Sequence, residues 1–217
     1  MRRDLITSIR AVVVITVLCG LIYPFAVWAI GQAAFPGRAN GSQIHVNGKL
    51  VGSRLLGQDF SRPVLGKDGK PKKDSAGDPV TEPDPKYFQE RPSQDAYNAA
   101  GTFFSNRGPN QKSAVVFYKA ELAGYLALER PYDPGLTNAR VPVDAVTTSA
   151  SGVDPHISQA NARIQARRIA AVRHLTLAHV DQLIAQHTDG RFAGLLGEPG
   201  VNVLQLNLAL DKEAPRP

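Results

Sequence analysis

Hydrophobic residues are concentrated near the start of the chain and occur in shorter patterns over the remainder. Residues 11–30 form a run of twenty without a charged side chain. As an α-helix this run would be about 30 Å long, which matches the hydrocarbon thickness of a bilayer. From residue 38 onward, apolar and polar residues alternate over short distances. The pattern predicts a single N-terminal transmembrane helix at residues 11–33, followed by one α+β domain at residues 38–217.

A cleaved signal peptide is the alternative interpretation of this N-terminal run. Arginines lie at positions 2, 3 and 10, and Gly31-Gln32-Ala33 is a rough cleavage motif. The apolar run continues past residue 24 through Trp28 and Ile30, which favours an uncleaved anchor. The arginines before the helix predict that residues 1–10 are cytoplasmic and that the domain is extracytoplasmic.

Two positions inside the predicted anchor interrupt an otherwise uniform apolar helix. Gly20 has no side chain, so another helix can approach it closely. Pro24 predicts a kink, which transmembrane helices tolerate when neighbouring groups satisfy the freed carbonyl. Gly20, Tyr23 and Pro24 are therefore candidate contacts between the anchor and partner helices.

The outer domain contains predicted strands and helices. Ile44 and Val46 alternate with polar residues before Asn47-Gly48, a pair that favours a two-residue hairpin turn. Helical spacing of apolar residues predicts helices at residues 113–129, from Ser158 to about 175, and from Thr176 to a stop at 189–190. Ser158 is the candidate N-cap of the second helix. In the first of these helices the apolar face consists of Val115, Tyr118, Leu122 and Leu126.

Two further stretches complete the α+β prediction. Residues 201–210 alternate as in a strand, with a bulge between Val203 and Leu204. Residues 66–86 contain four prolines and one large aliphatic residue, Val80, so we predict a mobile polar insertion.

The composition excludes several classes of function. The net charge of +6 is scattered along the chain and gives no reason to expect a nucleic-acid partner. Cys19 is the only cysteine, which excludes an intramolecular disulfide and a multi-thiolate metal site. The sequence has no glycine-rich phosphate loop and no pair of histidines at metal-ligand spacing. We therefore expect no metal, no stably bound cofactor and no catalytic residue, and nucleotide-binding residues stay unknown.

Residues 149–157 combine serine, aspartate and histidine within a short distance. Ser151, Asp154 and His156 resemble parts of a hydrolytic triad, but a triad draws its members from distant parts of the chain. The Asp154-Pro155 pair is typical of a turn. We favour a rigid polar recognition loop at a partner interface, with an anchored hydrolase using Ser151 or His156 as the alternative. The candidate interface residues are Ser149, Ser151, Gly152, Asp154, Pro155 and His156.

A set of short motifs along nearly the whole chain resembles one known family. The motifs are Tyr23-Pro24, Asn40-Gly41-Ser42, Gly52-Ser53, residues 55–58, Tyr87-Phe88, Arg91-Pro92-Ser93, Tyr97-Asn98-Ala99, residues 141–158, Gly197-Glu198-Pro199 and residues 201–211. With these the chain resembles the C chain of the bacterial Kdp potassium-transporting ATPase. Residues 66–86 depart from that family as an insertion. Thr102-Phe103-Phe104 stands where the family is rich in serine and glycine, and Gly200 replaces a basic residue.

The resemblance implies a non-catalytic subunit of an ATP-driven K⁺ importer in the bacterial inner membrane. The implied partners are a channel-like A chain, an ATP-hydrolysing B chain and a small F chain. The implied role is that of a catalytic chaperone that raises the affinity of the B chain for ATP. ATP is therefore implied only as a ligand of the complex, and not as a cofactor bound stably by this chain. Because the domain is predicted outside and ATP is cytoplasmic, we expect indirect coupling. A stand-alone, membrane-anchored binding module of the envelope is the other alternative.

Overall fold

The computed structural model describes residues 2–101, 105–108 and 110–213. The departure noted at Thr102-Phe103-Phe104 lies outside the described residues. The chain forms two compact units, Met1–Ser53 and Arg54–Pro217. The first unit therefore includes the predicted hairpin as well as the anchor.

The first unit begins with a long helix that leaves its apolar surface exposed. It consists of α1 (Arg2–Val17), a π-helical turn (Leu18–Ile22) and α2 (Tyr23–Ala34). The combined helix Arg2–Ala34 reaches a mean hydropathy of 2.4, and none of its most apolar stretch is buried. Within the described part of the chain, it is the one helix long and apolar enough to cross a membrane. The predicted architecture of one N-terminal membrane helix before an α+β domain is confirmed.

The irregularity predicted at Pro24 takes the form of the π-helical turn that precedes it. The backbone N–H of Tyr23 donates to the carbonyl of Leu18, five residues back, instead of the usual four. Pro24 then lies in the first turn of α2. A proline ring in a regular α-helix collides with the carbonyl four residues earlier, which here belongs to Gly20. The wider turn is a local way to relieve that collision.

A short helix, α3 (Pro36–Ala39), follows the long helix and is tied back to it by side chains. The amides of Gln32 and Asn40 hydrogen-bond each other in both directions, at 3.3 and 3.1 Å. The Asn40 amide also donates to the carbonyl of Pro36 at 2.7 Å. Asn40 thus fixes the turn by which the chain leaves the long helix.

The hairpin of the first unit forms where the sequence predicts it. Strands β1 (Gln43–Val46) and β2 (Lys49–Ser53) are antiparallel, and Val46 pairs with Lys49. Asn47 and Gly48 have φ values of 51° and 75°, as a type I′ turn requires.

In the second unit, the polar insertion has a more regular backbone than a simple loop. Strands β3 (Ser61–Pro63) and β4 (Thr81–Pro83) are antiparallel. Between them, the N–H of Val64 donates to the carbonyl of Val80, and the N–H of Val80 donates to the carbonyl of Lys72, each at 2.8 Å. The side chains of residues 67–81 are all exposed. The mobility of this segment stays a prediction.

The last residues of the predicted insertion belong to the packed unit. Asp84, Pro85 and Lys86 are half-buried. Their carbonyls accept hydrogen bonds from the side chains of Gln89, Arg168 and Arg173, respectively. The exposed part of the insertion thus ends before residue 84.

Residues 84–91 do not pair as a β-strand, and all of them are half-buried except Phe88, which is buried. Asn207 accepts from the backbone N–H of Phe88 at 2.9 Å and donates to its carbonyl at 3.0 Å. Gln165 makes the same pair of bonds to the backbone of Gln89, at 2.7 and 3.0 Å. Because buried backbone groups need partners, these two amides replace a neighbouring strand. Phe88 is held fully buried as a result.

Four helices and a small sheet surround this segment. The helices are α4 (Lys112–Glu129), α5 (Gln159–Val172), α6 (Leu177–Gln186) and α7 (Val203–Glu213). Strands β5 (His156–Ile157), β6 (Thr188–Asp189) and β7 (Gly200–Asn202) form an antiparallel sheet in the order β5-β7-β6. Apolar residues of α5, α6, α7 and β7 pack around Phe88 as the main core.

The helix boundaries follow the predicted caps at their N-termini and differ at their C-termini. Ser158 accepts the N–H of Asn161 at 3.1 Å and caps α5, as predicted. Thr176 caps α6 in the same way. Helix α6 ends at Gln186, before the predicted stop at 189–190, because Thr188 and Asp189 pair with β7.

The strand predicted over residues 201–210 is wrong for most of its length. Only the first two residues extend β7, and Val203–Glu213 is helix α7. The side chain of Asn202 accepts the N–H of Gln205 at 3.0 Å, which starts the helix. The break in alternation at Val203 and Leu204 marks this change from strand to helix and not a bulge.

A buried ion pair joins α4 to α5. Arg168 is 0% exposed and its Nε donates to Glu129 at 2.9 Å. The same guanidinium donates to the carbonyls of Pro85 and Tyr87 at 2.6 and 2.9 Å. Burial raises the pKa of Glu129, and the charge of Arg168 opposes that effect. The guanidinium thus connects both helices to the segment 84–91.

Candidate functional site

The predicted recognition loop precedes α5 and is folded against the second unit. Ser149, Gly152 and Pro155 are buried, whereas Asp154 and His156 are half-buried. Ser151 is half-buried as well, so the structure brings the candidate residues together and leaves Ser151, Asp154 and His156 partly exposed.

Local hydrogen bonds define the shape of this loop. The Ser149 hydroxyl accepts the N–H of Gly152 at 3.0 Å, and the Ser151 hydroxyl accepts the N–H of Val153 at 3.2 Å. Gly152 has a φ of 77°, a region that glycine adopts without strain. The Ser93 hydroxyl donates to the Gly152 carbonyl at 2.7 Å, which ties the loop to the chain just after residues 84–91.

His156 lies between two carboxylates. Its Nδ1 is 3.3 Å from Asp154 Oδ1, and its Nε2 is 3.1 Å from Asp189 Oδ2. A neutral imidazole donates from one nitrogen only, so two carboxylate acceptors favour the doubly protonated ring. The hydrogen bond to Asp154 raises the pKa of His156, burial opposes it, and Asp189 adds to the increase. His156 thus joins β5 to β6 through two carboxylates.

The two carboxylates are paired with arginines on their far sides. Asp154 lies 3.6 Å from Arg91, and Asp189 pairs with Arg54. Burial alone would raise the pKa of Asp154, but hydrogen bonds from the His156 ring and backbone, together with the charge of Arg91, lower it. The result is a row of alternating charges, from Arg91 through His156 to Arg54, which we call the charged row.

Gly200, on β7, makes room for the His156 ring. A Cβ atom at position 200 would lie 3.2 Å from His156 Cβ and 3.3 Å from its Cδ2. A side chain there would require His156 to give way by a few tenths of an ångström. Gly200, which departs from the basic residue of the family, thus leaves room for close packing of His156.

The geometry does not support the hydrolase alternative. Both ring nitrogens of His156 face carboxylates, so neither is free to accept a proton from Ser151. The Ser151 hydroxyl is itself engaged with the backbone of Val153. Across the described part of the chain, no group of three histidine, cysteine or acidic side chains could hold a metal ion.

A buried carboxyl near the charged row was not predicted from the sequence. Burial raises the pKa of Glu90 to about 9; the backbone of Gln58 opposes this, and the charges of Asp154 and Asp59 add to it. Glu90 is therefore neutral at pH 7. It borders a cavity of about 720 Å³ that Arg91, Tyr97 and Glu121 also line. Nothing in the local sequence distinguishes Glu90 from the exposed acids nearby, so only packing could reveal it.

The candidate anchor contacts lie together on the long helix. Gly20 is within the π-helical turn, and Tyr23 and Pro24 begin α2. All three are exposed within the chain, and Tyr23 is 68% exposed. A Cβ at Gly20 would meet only the methyl group of Thr16, at 3.9 Å, so the helix has a shallow notch there. Their role in docking stays a prediction.

These features define a class of protein. One helix of membrane length precedes a domain in which the Ser151 hydroxyl bonds to the backbone and the His156 ring bonds to Asp154 and Asp189. That combination fits a membrane-anchored accessory protein.

Comparison with known proteins identifies the family. The family described as K⁺-transporting ATPase, c chain, matches residues 5–212. The potassium-transporting ATPase KdpC subunit of Koribacter versatilis is 39% identical over 219 residues, which cover 100% of this chain and 98% of that protein. The KdpC subunit of Methylococcus capsulatus is 44% identical over 199 residues, or 90% of each chain. The KdpC subunit of Mycobacterium tuberculosis H37Rv is 38% identical over 214 residues, which cover 98% of this chain and 100% of that protein. The chain belongs to the K⁺-transporting ATPase c-chain family. It is an accessory subunit of the ATPase and not the catalytic one.

Proposed function

We propose that the chain is the assembly and regulatory subunit of an ATP-driven K⁺ importer in the bacterial inner membrane. The observation that carries this proposal is the family match over residues 5–212, and the long apolar helix Arg2–Ala34 fits it. The partners are a channel-like A chain, an ATP-hydrolysing B chain and a small F chain. Its work is to bind these subunits and favour one of their conformations.

The proposed topology places residues 1–10 in the cytoplasm and the second unit outside. It is supported by Arg2, Arg3 and Arg10 on the N-terminal side of the apolar stretch. In a Cys19→Ser background, a Ser75→Cys variant should react with a membrane-impermeant thiol reagent in intact spheroplasts, because position 75 is exposed. The matched Ser8→Cys variant should react only after lysis. The reverse pattern would overturn the proposed orientation.

Assembly with larger subunits separates this function from a stand-alone binding module. Affinity purification of the full chain in mild detergent should recover the A, B and F chains in a fixed ratio. A free envelope module would be recovered without them, and that outcome would contradict the proposed role.

The proposed regulation raises the affinity of the B chain for ATP through a conformational change. ATP is cytoplasmic and the second unit is placed outside, so a coupling free energy between separate sites is the mechanism that fits both. Removing this chain from the complex should raise the ATP concentration needed for half-maximal ATPase activity. A photoreactive ATP analogue should label the B chain and not this chain. Labelling of this chain in the second unit would contradict indirect coupling.

A further inference from the structure

Helix α4 leaves part of its apolar face uncovered. Of the four residues on the predicted face, Leu126 is buried, whereas Val115 and Tyr118 are 48% and 37% exposed. Val116 beside them is 70% exposed. Surface helices of soluble domains normally present charged residues on the solvent side. This helix instead presents apolar residues, which indicates that another surface covers it.

The C-terminal half of the same helix borders a groove. The groove has a volume of about 740 Å³, and α4 lines it with Leu122, Ala123, Leu126 and Ala127. Leu122 and Leu126 are supported from below by Leu136 and Ile164 in a small second core. Ala123 and Ala127 are one helical turn apart and exposed, so their short side chains allow another helix to approach. The groove is thus apolar, open and backed by packed residues.

The edge of this groove is basic. Lys119 and Arg130 border it together with Pro131 and Asn138, and the described lining contains no acidic residue. Arg130 is held in position because it donates to the carbonyl of Leu136 at 3.1 Å and to Asn138 at 3.3 Å. No carboxylate of the described residues forms a salt bridge with Lys119 or Arg130. Two cations beside an apolar floor fit a partner that carries a carboxylate next to apolar side chains.

We propose that this groove, which we call the α4 groove, is the docking surface for a helix of a larger subunit of the transport complex. The apolar side of that helix packs on Leu122, Ala123 and Ala127, and an acidic residue beside it pairs with Lys119 and Arg130. The choice of occupant follows from the basic edge and from the small residues. This inference rests on the proposed assembly function and names the surface that carries it.

A photocrosslinking experiment on the assembled complex identifies the occupant. A photoreactive amino acid is placed at Ala123 of the full chain, and the same substitution at exposed Ala185 of α6 serves as the matched control. Irradiation should give a covalent product with a larger subunit from position 123 and much less from position 185. A product with a second copy of this chain, with lipid alone or with no partner would overturn the proposal.

Charge changes test the chemistry of the same surface. Ala123→Glu places a carboxylate on the floor and Lys119→Glu reverses the edge, and we expect each to lower the recovery of larger subunits about tenfold. Lys119→Arg and Ala185→Glu should retain recovery close to that of the unaltered chain. Thermal unfolding of each variant alone in detergent checks that the second unit stays folded. Full recovery with both glutamate variants would overturn the α4 groove, whereas failure of the unaltered chain to recover partners would overturn the proposed function itself.

Discussion

The long helix Arg2–Ala34 and the segment at residues 84–91 satisfy their polar backbone groups in different ways. The helix bonds its own backbone internally and exposes its apolar side chains. At Phe88 and Gln89 the segment is bonded instead by the side chains of Asn207 on α7 and Gln165 on α5. The helix therefore depends on its surroundings for burial, whereas the segment depends on specific residues of the same chain.

The two regions therefore contribute to stability in different ways. Substitutions around residues 84–91 should change the free energy of unfolding of the second unit in isolation. Substitutions on the long helix should leave that free energy unchanged and act on membrane insertion or assembly.

The largest effect is expected at Arg168. An Arg168→Met variant leaves Glu129 without its buried partner and removes donors from the carbonyls of Pro85 and Tyr87. We expect the free energy of unfolding to fall by about 3–5 kcal/mol, because breaking a buried ion pair leaves an uncompensated charge. Urea unfolding of the full chain in detergent measures it. The exposed Arg163→Met variant is the control, and equal stability of the two variants would contradict the account.

The substitution Glu90→Gln is expected to stabilise the second unit. The folded pKa of about 9 exceeds the usual 4.5, so the stabilisation by the protonated form is complete below pH 4.5 and lost as the pH rises through 9. At pH 7 ionisation of this carboxyl lowers the free energy of the unfolded chain, and Glu90→Gln removes that contribution. We expect Glu90→Gln to raise the free energy of unfolding at pH 7 by about 1–3 kcal/mol.

The control for Glu90 is the exposed Glu82, which pairs with Arg62 on the β3–β4 hairpin. Glu82→Gln should have little effect, since exposed ion pairs contribute little. Lower stability of Glu90→Gln at pH 7, measured by urea unfolding, would show that the ionised carboxylate is required.

A smaller effect with a definite pH dependence is expected at His156. Its folded pKa is raised from the usual 6.5, so its stabilisation is complete below pH 6.5 and lost as the pH rises through the folded value. His156→Gln should cost about 1 kcal/mol at most in acid, because the ring and both carboxylates are partly exposed. The difference from the unaltered chain should vanish at alkaline pH. An NMR titration of the His156 ring that gives an ordinary pKa would contradict the charged row.

The smallest effect is expected in the exposed part of the insertion. Replacing residues 65–79 by Asn-Gly keeps the bond between Val64 and Val80 and should change stability by less than about 0.5 kcal/mol. Assembly and K⁺ uptake should also be unchanged. A deletion that extends through residues 84–86 should destabilise the second unit, since those carbonyls accept internal hydrogen bonds. Loss of assembly with the shorter deletion would identify the segment as an interface.

The sequence predicted those parts of the fold whose causes are local. The apolar length of the anchor, the Asn47-Gly48 turn and the Ser158 cap each depend on neighbouring residues, and all three are found. The change from strand to helix at Val203 was not predicted, because a short alternating run does not distinguish the two. The side-chain support of residues 84–91 depends on contacts across more than seventy positions. Such pairing has no local pattern.

The candidate site shows the same limit. The sequence identified Asp154 and His156 as members of one loop, and the structure joins them. It could not identify Asp189 and Arg54, which reach the site from distant positions. The uncovered face of α4 was likewise predicted as a regular apolar face, with no indication of which part the chain itself covers.

Replacing residues 11–30 by an unrelated leucine-rich span of twenty residues tests most directly whether the long helix depends on partners while the second unit does not. The replaced chain should remain in the membrane, because hydropathy governs insertion. Its second unit should unfold at the same midpoint denaturant concentration as that of the unaltered chain. Recovery of the larger subunits should fall, because leucine cannot reproduce the notch at Gly20 or the turn before Pro24. Recovery of complex and K⁺-stimulated ATPase activity equal to those of the unaltered chain would contradict this account.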